Sequence, residues 1–424
     1  MFRNKFLSNV SWIMIGRIFQ LSLTFITTML VTRYLGPDQY GKITVAYSYV
    51  SLFIPFCALG MNDIAIKSFV DNKDKNDETL GTMLCLRLAS SILSMGIIYL
   101  LFKIGNDDSL LMTVGMLQAL SLVFQVFESI AYWHQSRMLS KNVGVIYAVS
   151  YSLTAIFRIV GLLIKGDIRW FAFAVSLDYI VIAVLLIFAY FKNGHKLSFS
   201  FEIAKKLLSK SYHYIFASIM VVIYSKADTI ILGNLVDEAS VGYYAAATTL
   251  CNAWPFVLTA IIDSASPIII DLFKKDKEAY KQRLRQLYAA IFYIGVIVAL
   301  VFTFGSNLII GIIYGESYYP AVMPLRIVCW STIFAYLGVS RTIWMQCENK
   351  LQYEKTLSLF GAIIDIALNY VLISRFGING AAIALLVTQI MTNLILPLMI
   401  KETRENGKLI LDAIIFKGIF NREE

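Results

Sequence analysis

The sequence is poor in the residues from which soluble enzymes build their sites. Only 15% of its 424 residues are charged, it has 3 histidines and 5 cysteines, and long polar stretches are missing. The cysteines, Cys57, Cys85, Cys251, Cys329 and Cys347, lie in or at the ends of apolar runs without C-x-x-C spacing, so they read as free buried thiols and not as a disulfide framework or a metal site. His134, His195 and His213 form no local ligand pair. No phosphate-binding glycine loop or dinucleotide fingerprint occurs, which leaves no basis for ATP hydrolysis, and the expectation is no cofactor and no metal. The longest non-apolar connections run about 15–20 residues and read as interfacial helices, too short for a catalytic domain.

What is present is apolar. Hydrophobic residues make up 58% of the chain and mean hydropathy is +0.68, far above soluble usage. Windows of roughly 20 apolar residues predict an all-α integral membrane protein of about twelve transmembrane helices, near 9–33, 42–66, 80–102, 109–133, 143–164, 170–191, 212–235, 241–272, 287–304, 320–345, 356–374 and 378–400. The first run, Val10 to Val31, is longer than a secretory apolar core and is expected to stay as a signal-anchor. The net charge of +9 is spread in short clusters between the runs, which points to topology and not to nucleic acid. About 25 Lys and Arg fall at the N-terminus, the even-numbered connections and the tail, against about 6 on the other side, so both termini are expected in the cytoplasm. The connections near Asp38, Asp237 and Glu316 are then periplasmic.

A repeat organises the runs. Leu35-Gly36-Pro37-Asp38-Gln39-Tyr40-Gly41 leads into a span reaching Pro55-Phe56, and Leu235-Val236-Asp237-Glu238-Ala239-Ser240-Val241-Gly242-Tyr243-Tyr244 leads into one reaching Pro255-Phe256. A displacement of six spans gives two lobes of like orientation with a central cavity. The expected organisation is an N-lobe over 1–191, a cytoplasmic interfacial linker over 192–211, a C-lobe over 212–400 and a cytoplasmic amphipathic tail over 401–424. Pro55 and Pro255 are candidate helix hinges.

Six basic residues, Arg17, Arg87, Arg158, Lys226, Arg326 and Arg341, fall inside apolar runs, where each costs several kcal/mol, on the order of 3, unless it meets water or an anion. Arg17, Gln20, Thr24 and Thr27 or Thr28 recur at three- or four-residue steps, a polar stripe expected to line the cavity. Arg87, Arg158 and Lys226 are the other candidates for holding an anion, Arg because its fork makes paired bonds to phosphate. The alternative is pairing with nearby acids, and Asp63, Glu128, Asp178, Asp228, Asp263 and Asp365 lie within or near spans. Of these, Glu128, Asp178, Asp228 and Asp365 are candidates for ion coupling. Arg326 and Arg341 are close enough to span ends to snorkel. Lys226 and Asp228, two residues apart, sit about 200° apart round a helix and cannot share a face.

Together, Tyr34-Leu35-Gly36-Pro37-Asp38-Gln39-Tyr40-Gly41, Lys226-Ala227-Asp228-Thr229-Ile230-Ile231-Leu232-Gly233, Tyr314-Gly315-Glu316-Ser317-Tyr318-Tyr319-Pro320-Ala321 and Gly377-Ile378-Asn379-Gly380-Ala381-Ala382 resemble the polysaccharide-unit flippases of the O-antigen (Wzx) type, in the multidrug/oligosaccharidyl-lipid/polysaccharide exporter superfamily. The resemblance implies translocation of an undecaprenyl-diphosphate-linked oligosaccharide from the cytoplasmic to the periplasmic leaflet of a bacterial inner membrane. It also implies membrane lipids and a polysaccharide polymerase and chain-length regulator of the same pathway as partners. A multidrug or small-cation antiporter would share the fold, but its cavity should be net acidic. A membrane-embedded polymerase or glycosyltransferase would need a large outer loop or an acidic metal motif.

Overall fold

In the computed structural model, residues 2–71, 75–105, 108–192 and 194–418 are described, with side chains from residue 19 onward except at 63, 213, 216 and 217. Among the described residues the chain is helical throughout, with no strand. Lipid cannot hydrogen-bond a backbone, so a spanning chain must satisfy its amides internally, and helices do this within one segment.

Two compact units divide the chain, Met1–Lys226 and Ala227–Glu424. The first is built from α1 (Phe2–Ser51), α2 (Ile54–Ala58), α3 (Asn62–Asp71), α4 (Asn76–Gly105), α5 (Ser109–Gln125), α6 (Glu128–Ser136), α7 (Ser140–Leu163), α8 (Ile168–Phe191) and the start of α9 (Phe201–Leu235). Within it α5 packs on α8, α1 and α4, and α7 packs on α1 and α8. The second unit continues with α10 (Glu238–Ala253), α11 (Phe256–Lys275), α12 (Lys277–Ile313), α13 (Val322–Cys347), α14 (Gln352–Phe376), α15 (Ile378–Ile390), a π-helical turn at Met391–Ile395, α16 (Leu396–Met399) and α17 (Arg404–Ile414). Here α13 packs on α12, α15 and α10.

Ten segments among the described residues are long and apolar enough to cross a membrane, from Asn76–Gly105 to Ile378–Met399. They correspond to the third to twelfth runs of the sequence. The region of the first two is occupied by α1, broken at Gly36 (φ 73°) just before Pro37, and by the short helices α2 and α3. Positive φ suits glycine, and proline cannot continue a ladder, so the pair turns the chain. The two prolines of the repeat mark like interruptions: Pro55 opens α2 after the break that follows Ser51, and Pro255 is the N-cap of α11 after α10 ends at Ala253.

Short connections are capped by aspartates. Asp108, Asp167, Asp237 and Asp276 accept backbone N–H groups at the starts of α5, α8, α10 and α12, at 2.6–3.3 Å, satisfying donors that have no helical partner. Residues 195–200 are tied to unit 1 by Asp77, which accepts from the Tyr190 hydroxyl at 2.7 Å and from the Lys196 N–H at 3.3 Å, with the His195 ring 3.2 Å away. Phe201-Glu202-Ile203-Ala204-Lys205-Lys206-Leu207-Leu208 forms the first turns of α9. In the tail, α17 buries Leu409, Ile410 and Ala413 and packs on α12, with Lys281 2.9 Å from Glu405 and Asn406 donating to the Tyr288 hydroxyl at 2.6 Å.

Helices in lipid gain little from hiding apolar surface from one another, so close approach at small residues matters. A Cβ on Gly380 would strike the carbonyl of Leu372, backbone against backbone at the α14–α15 turn, whereas one on Gly96 meets open space. Gly380→Ala should therefore lower stability by about 1–3 kcal/mol in thermal unfolding of the purified protein, and Gly96→Ala should leave it unchanged or slightly raised.

The Lys42 ammonium lies 2.9 Å from Asp108 and, with the capped N–H groups, holds that carboxyl below its usual range. The depressed value means the contribution, about 0.5–1 kcal/mol, is complete at neutral pH and is lost as pH falls below about 4. Asp108→Asn, which still caps, should match this: its stability deficit is constant above about pH 5 and closes under acid.

Candidate functional site

Unit 1 carries a belt of charge and tyrosine across its apolar helices. Arg87 of α4, 2% exposed, donates from Nη1 to Ser129 Oγ at 2.7 Å. It interacts with the neighbouring Glu128 carboxylate, which is also adjoined by Gln125 and Tyr147. On α7, Arg158 donates from Nη1 to Thr27 Oγ1 at 3.2 Å and interacts with Asp178 of α8 and Tyr40 of α1. Thr154 adjoins the same Asp178. Tyr147 and Tyr151, one turn apart on α7, have ring centroids 6.0 Å apart, and Tyr179 sits among Tyr47, Tyr151, Glu128 and Asp178. Lys226 lies 5.7 Å over the Tyr47 ring. Among the described side chains, Arg87, Arg158 and Lys226 thus lie within the apolar helices of the unit together with Glu128 and Asp178.

The polar stripe of α1 is present in part. Thr27 is buried and meets Arg158, Gln20 is half-buried and Thr24 is exposed. The side chain of Arg17 lies outside the described residues.

Unit 2 holds the opposite charge. Asp365 of α14, 2% exposed, accepts from Asn369 Nδ2 at 3.0 Å and is adjoined by Thr388 of α15 and by Asp228 of α9. Asp228 accepts from the Thr229 N–H at 2.7 Å and is adjoined by Tyr244 of α10. Two carboxylates from different helices therefore meet among neutral hydrogen-bonding groups. Two neighbouring carboxylates disfavour each other's ionised form, and a proton or a cation shared between them relieves that repulsion. Among the described residues no group of three or more His, Cys, Asp or Glu is placed to hold a metal ion.

The remaining cations are engaged locally. Arg341, 1% exposed, meets Glu354 at 3.2 Å and the Thr392 carbonyl in the π turn at 3.3 Å, and Arg326 donates to Ser306 Oγ at 2.7 Å. Arg341 does not snorkel; it is a buried pair inside unit 2. Tyr147, Tyr151, Tyr179, Asn369 and Thr388 were not singled out by sequence. The available signal was position: tyrosines in mid-span, away from the interfaces where they usually gather.

Residues 6–273 match the family described as polysaccharide biosynthesis protein. The chain belongs to this family. A relative in Escherichia coli (strain K12), assigned as a candidate O-antigen transporter, is 24% identical over 92% of this chain and 94% of its own length. Among solved structures, the lipid II flippase MurJ in an inward closed conformation aligns with a TM-score of 0.74 at 16% identity, over 95% of this chain and 90% of that one. An inward-facing multidrug resistance MATE transporter of the MOP superfamily aligns at 0.70 and 12% identity, over 92% and 96%. These two likenesses establish the fold. The family match covers the belt of unit 1 together with Asp228, while Asp365 lies beyond it.

Removing one member of a buried pair strands the other. Arg87→Met, which leaves Ser129 without its partner, should destabilise unit 1 by about 1–3 kcal/mol, and the double variant Arg87→Met/Glu128→Leu should lose less than the sum of the two single changes. Thermal unfolding of Arg87→Met, Glu128→Leu and the double variant measures the coupling; losses that simply add would show that the two side chains do not depend on each other.

Proposed function

We propose that the protein is a transporter and not an enzyme: a flippase that moves an undecaprenyl-diphosphate-linked oligosaccharide, an O-antigen or related repeat unit, from the cytoplasmic to the periplasmic leaflet of a bacterial inner membrane by alternating access. Both termini are cytoplasmic in this reading. The observation that carries it is the set of cations, Arg87, Arg158 and Lys226, placed within the apolar helices of unit 1, in a chain whose family is concerned with polysaccharide biosynthesis. A diphosphate leaving water needs fixed cations in place of its hydration, and Arg158 and Lys226 supply them beside tyrosine hydroxyls and ring faces suited to sugar. The Tyr47 ring holds the Lys226 ammonium without cancelling its charge. Arg17 belongs to the same set, with Gln20 and Thr24 as polar lining. Arg87, closed off beside Glu128, acts by fixing α4 to α6.

Coupling is assigned to the acids of unit 2. Asp228 and Asp365, with Asn369 and Thr388, hold a proton or a sodium ion, and its release and rebinding link the gradient to substrate movement. Glu128 and Asp178 serve as counter-charges in unit 1. Pro55 and Pro255, at helix interruptions, give the chain places to bend. Partners are the lipid-linked oligosaccharide, membrane lipids, and the polymerase and chain-length regulator of the same pathway. The acid pair favours one second reading, a MATE-like multidrug or cation antiporter.

Leaflet-resolved analysis of lipid-linked oligosaccharide in cells separates the two. Deletion should trap the lipid in the cytoplasmic leaflet, and complementation with Lys226→Ala or Arg158→Ala, at equal protein level, should restore export about 10-fold less well than wild type, the effect of losing one charge-assisted contact. Unchanged export on deletion together with lost efflux of a cationic dye would establish the antiporter instead.

A further inference from the structure

The helix α11 presents two exposed faces of different chemistry. Val257 and Ile268, 41% and 58% exposed, lie about 120° and 140° round the helix from Asp263, at roughly 100° per residue, and form an apolar face suited to lipid. Leu258, Ile262 and Ile269 form the buried face. The third face runs through Thr259, Asp263, Ser266, Ile270 and Lys274 at three- and four-residue steps, and Thr259, Asp263 and Lys274 on it are exposed. A carboxylate in mid-span is not left in hydrocarbon, so this face borders a water-filled space. A shallow open cleft lies along it, bordered by six residues of this one helix, Asp263, Ser266, Pro267, Ile270, Asp271 and Lys274.

The cleft is rich in acceptors. Among the described residues no hydrogen bond or ion pair within unit 2 engages the Asp263 carboxylate. Pro267, four residues on, has no N–H to give to the Asp263 carbonyl, so that oxygen too lacks its helical donor. The Thr259 hydroxyl bonds only loosely to the Pro255 carbonyl, at 3.4 Å, and Ser266 borders the cleft. Asp271 is already paired with Lys275 at 2.7 Å. A surface of this kind selects a ligand made of donors. A diphosphate has none and is repelled by the carboxylate, whereas adjacent hydroxyls of a pyranose match the two oxygens of one Asp.

We propose that the polar face of α11, with Asp263 at its centre, is a sugar-reading wall that binds hydroxyls of the oligosaccharide. It rests on the flippase reading and adds to it where the glycan is recognised. Lys274 lies eleven residues from Asp263, about 16 Å along the helix, too far to pair with it.

The test compares two probes on the purified full chain: undecaprenyl diphosphate, and the undecaprenyl-diphosphate-linked oligosaccharide extracted from cells lacking the gene. Wild type should bind the glycosylated lipid about 10-fold more tightly than the bare one, the scale of one charge-assisted hydrogen bond. Asp263→Asn and Thr259→Val/Ser266→Ala should lose most of that preference while the Kd for bare undecaprenyl diphosphate stays within about 2-fold. An unchanged preference in Asp263→Asn overturns the proposal, as does an equal loss of affinity for both lipids. Wild-type protein that binds neither lipid removes the flippase reading, and the sugar wall with it, and the wild-type arm alone reports that outcome.

Discussion

An ionised side chain inside an apolar helix has to be compensated, and that requirement shapes both units. Each buried cation of unit 1 meets a specific answer: a carboxylate and a hydroxyl for Arg87 and Arg158, an aromatic face for Lys226. These answers come from different helices, so satisfying the charge also fixes α1, α4, α6, α7 and α8 against one another. Packing at small residues then sets how close the helices lie. The charges are expensive, and an ordinary membrane scaffold would have no reason to keep them.

The same constraint divides the chemistry between the units. Unit 1 places Arg87, Arg158 and Lys226 among its apolar helices, which suits a ligand carrying negative charge. Unit 2 brings Asp228 and Asp365 together among Asn369, Thr388 and Tyr244, which suits a small cation or a proton. A carrier that exchanges an anionic lipid against a cation gradient needs both properties, and each is present in the unit taken by itself. Asp263 on α11 is a third kind of charge, exposed and without an ion pair in its unit among the described residues, and its chemistry suits hydroxyl recognition.

Much of this was legible in the sequence because its physics is local. Apolar run length gave the third to twelfth segments, and Gly36-Pro37 and the two prolines of the repeat fell at the interruptions their backbone chemistry requires. The acids beside Arg87 and Arg158 were visible as candidates, but which acid met which cation depends on helix packing between residues 41 and 20 positions apart, and no spacing rule supplies that. Arg341 was misplaced for a related reason: closeness to a span end suggested snorkelling, while Glu354 and the carbonyl of Thr392 in the π turn hold it inside. The tyrosines of α7 and α8 were obscured by the commoner interfacial role of that residue.

The central claim is that this chain carries a diphosphate-linked glycan lipid across a bilayer at the expense of an ion gradient. Purified protein reconstituted in liposomes, with undecaprenyl-diphosphate-linked oligosaccharide in one leaflet, tests it through the fraction of glycan reached from the other side by an impermeant lectin. The account predicts that this fraction rises over protein-free liposomes and rises further when a proton or sodium gradient is imposed. A fraction no higher than in protein-free liposomes, with or without a gradient, would contradict it.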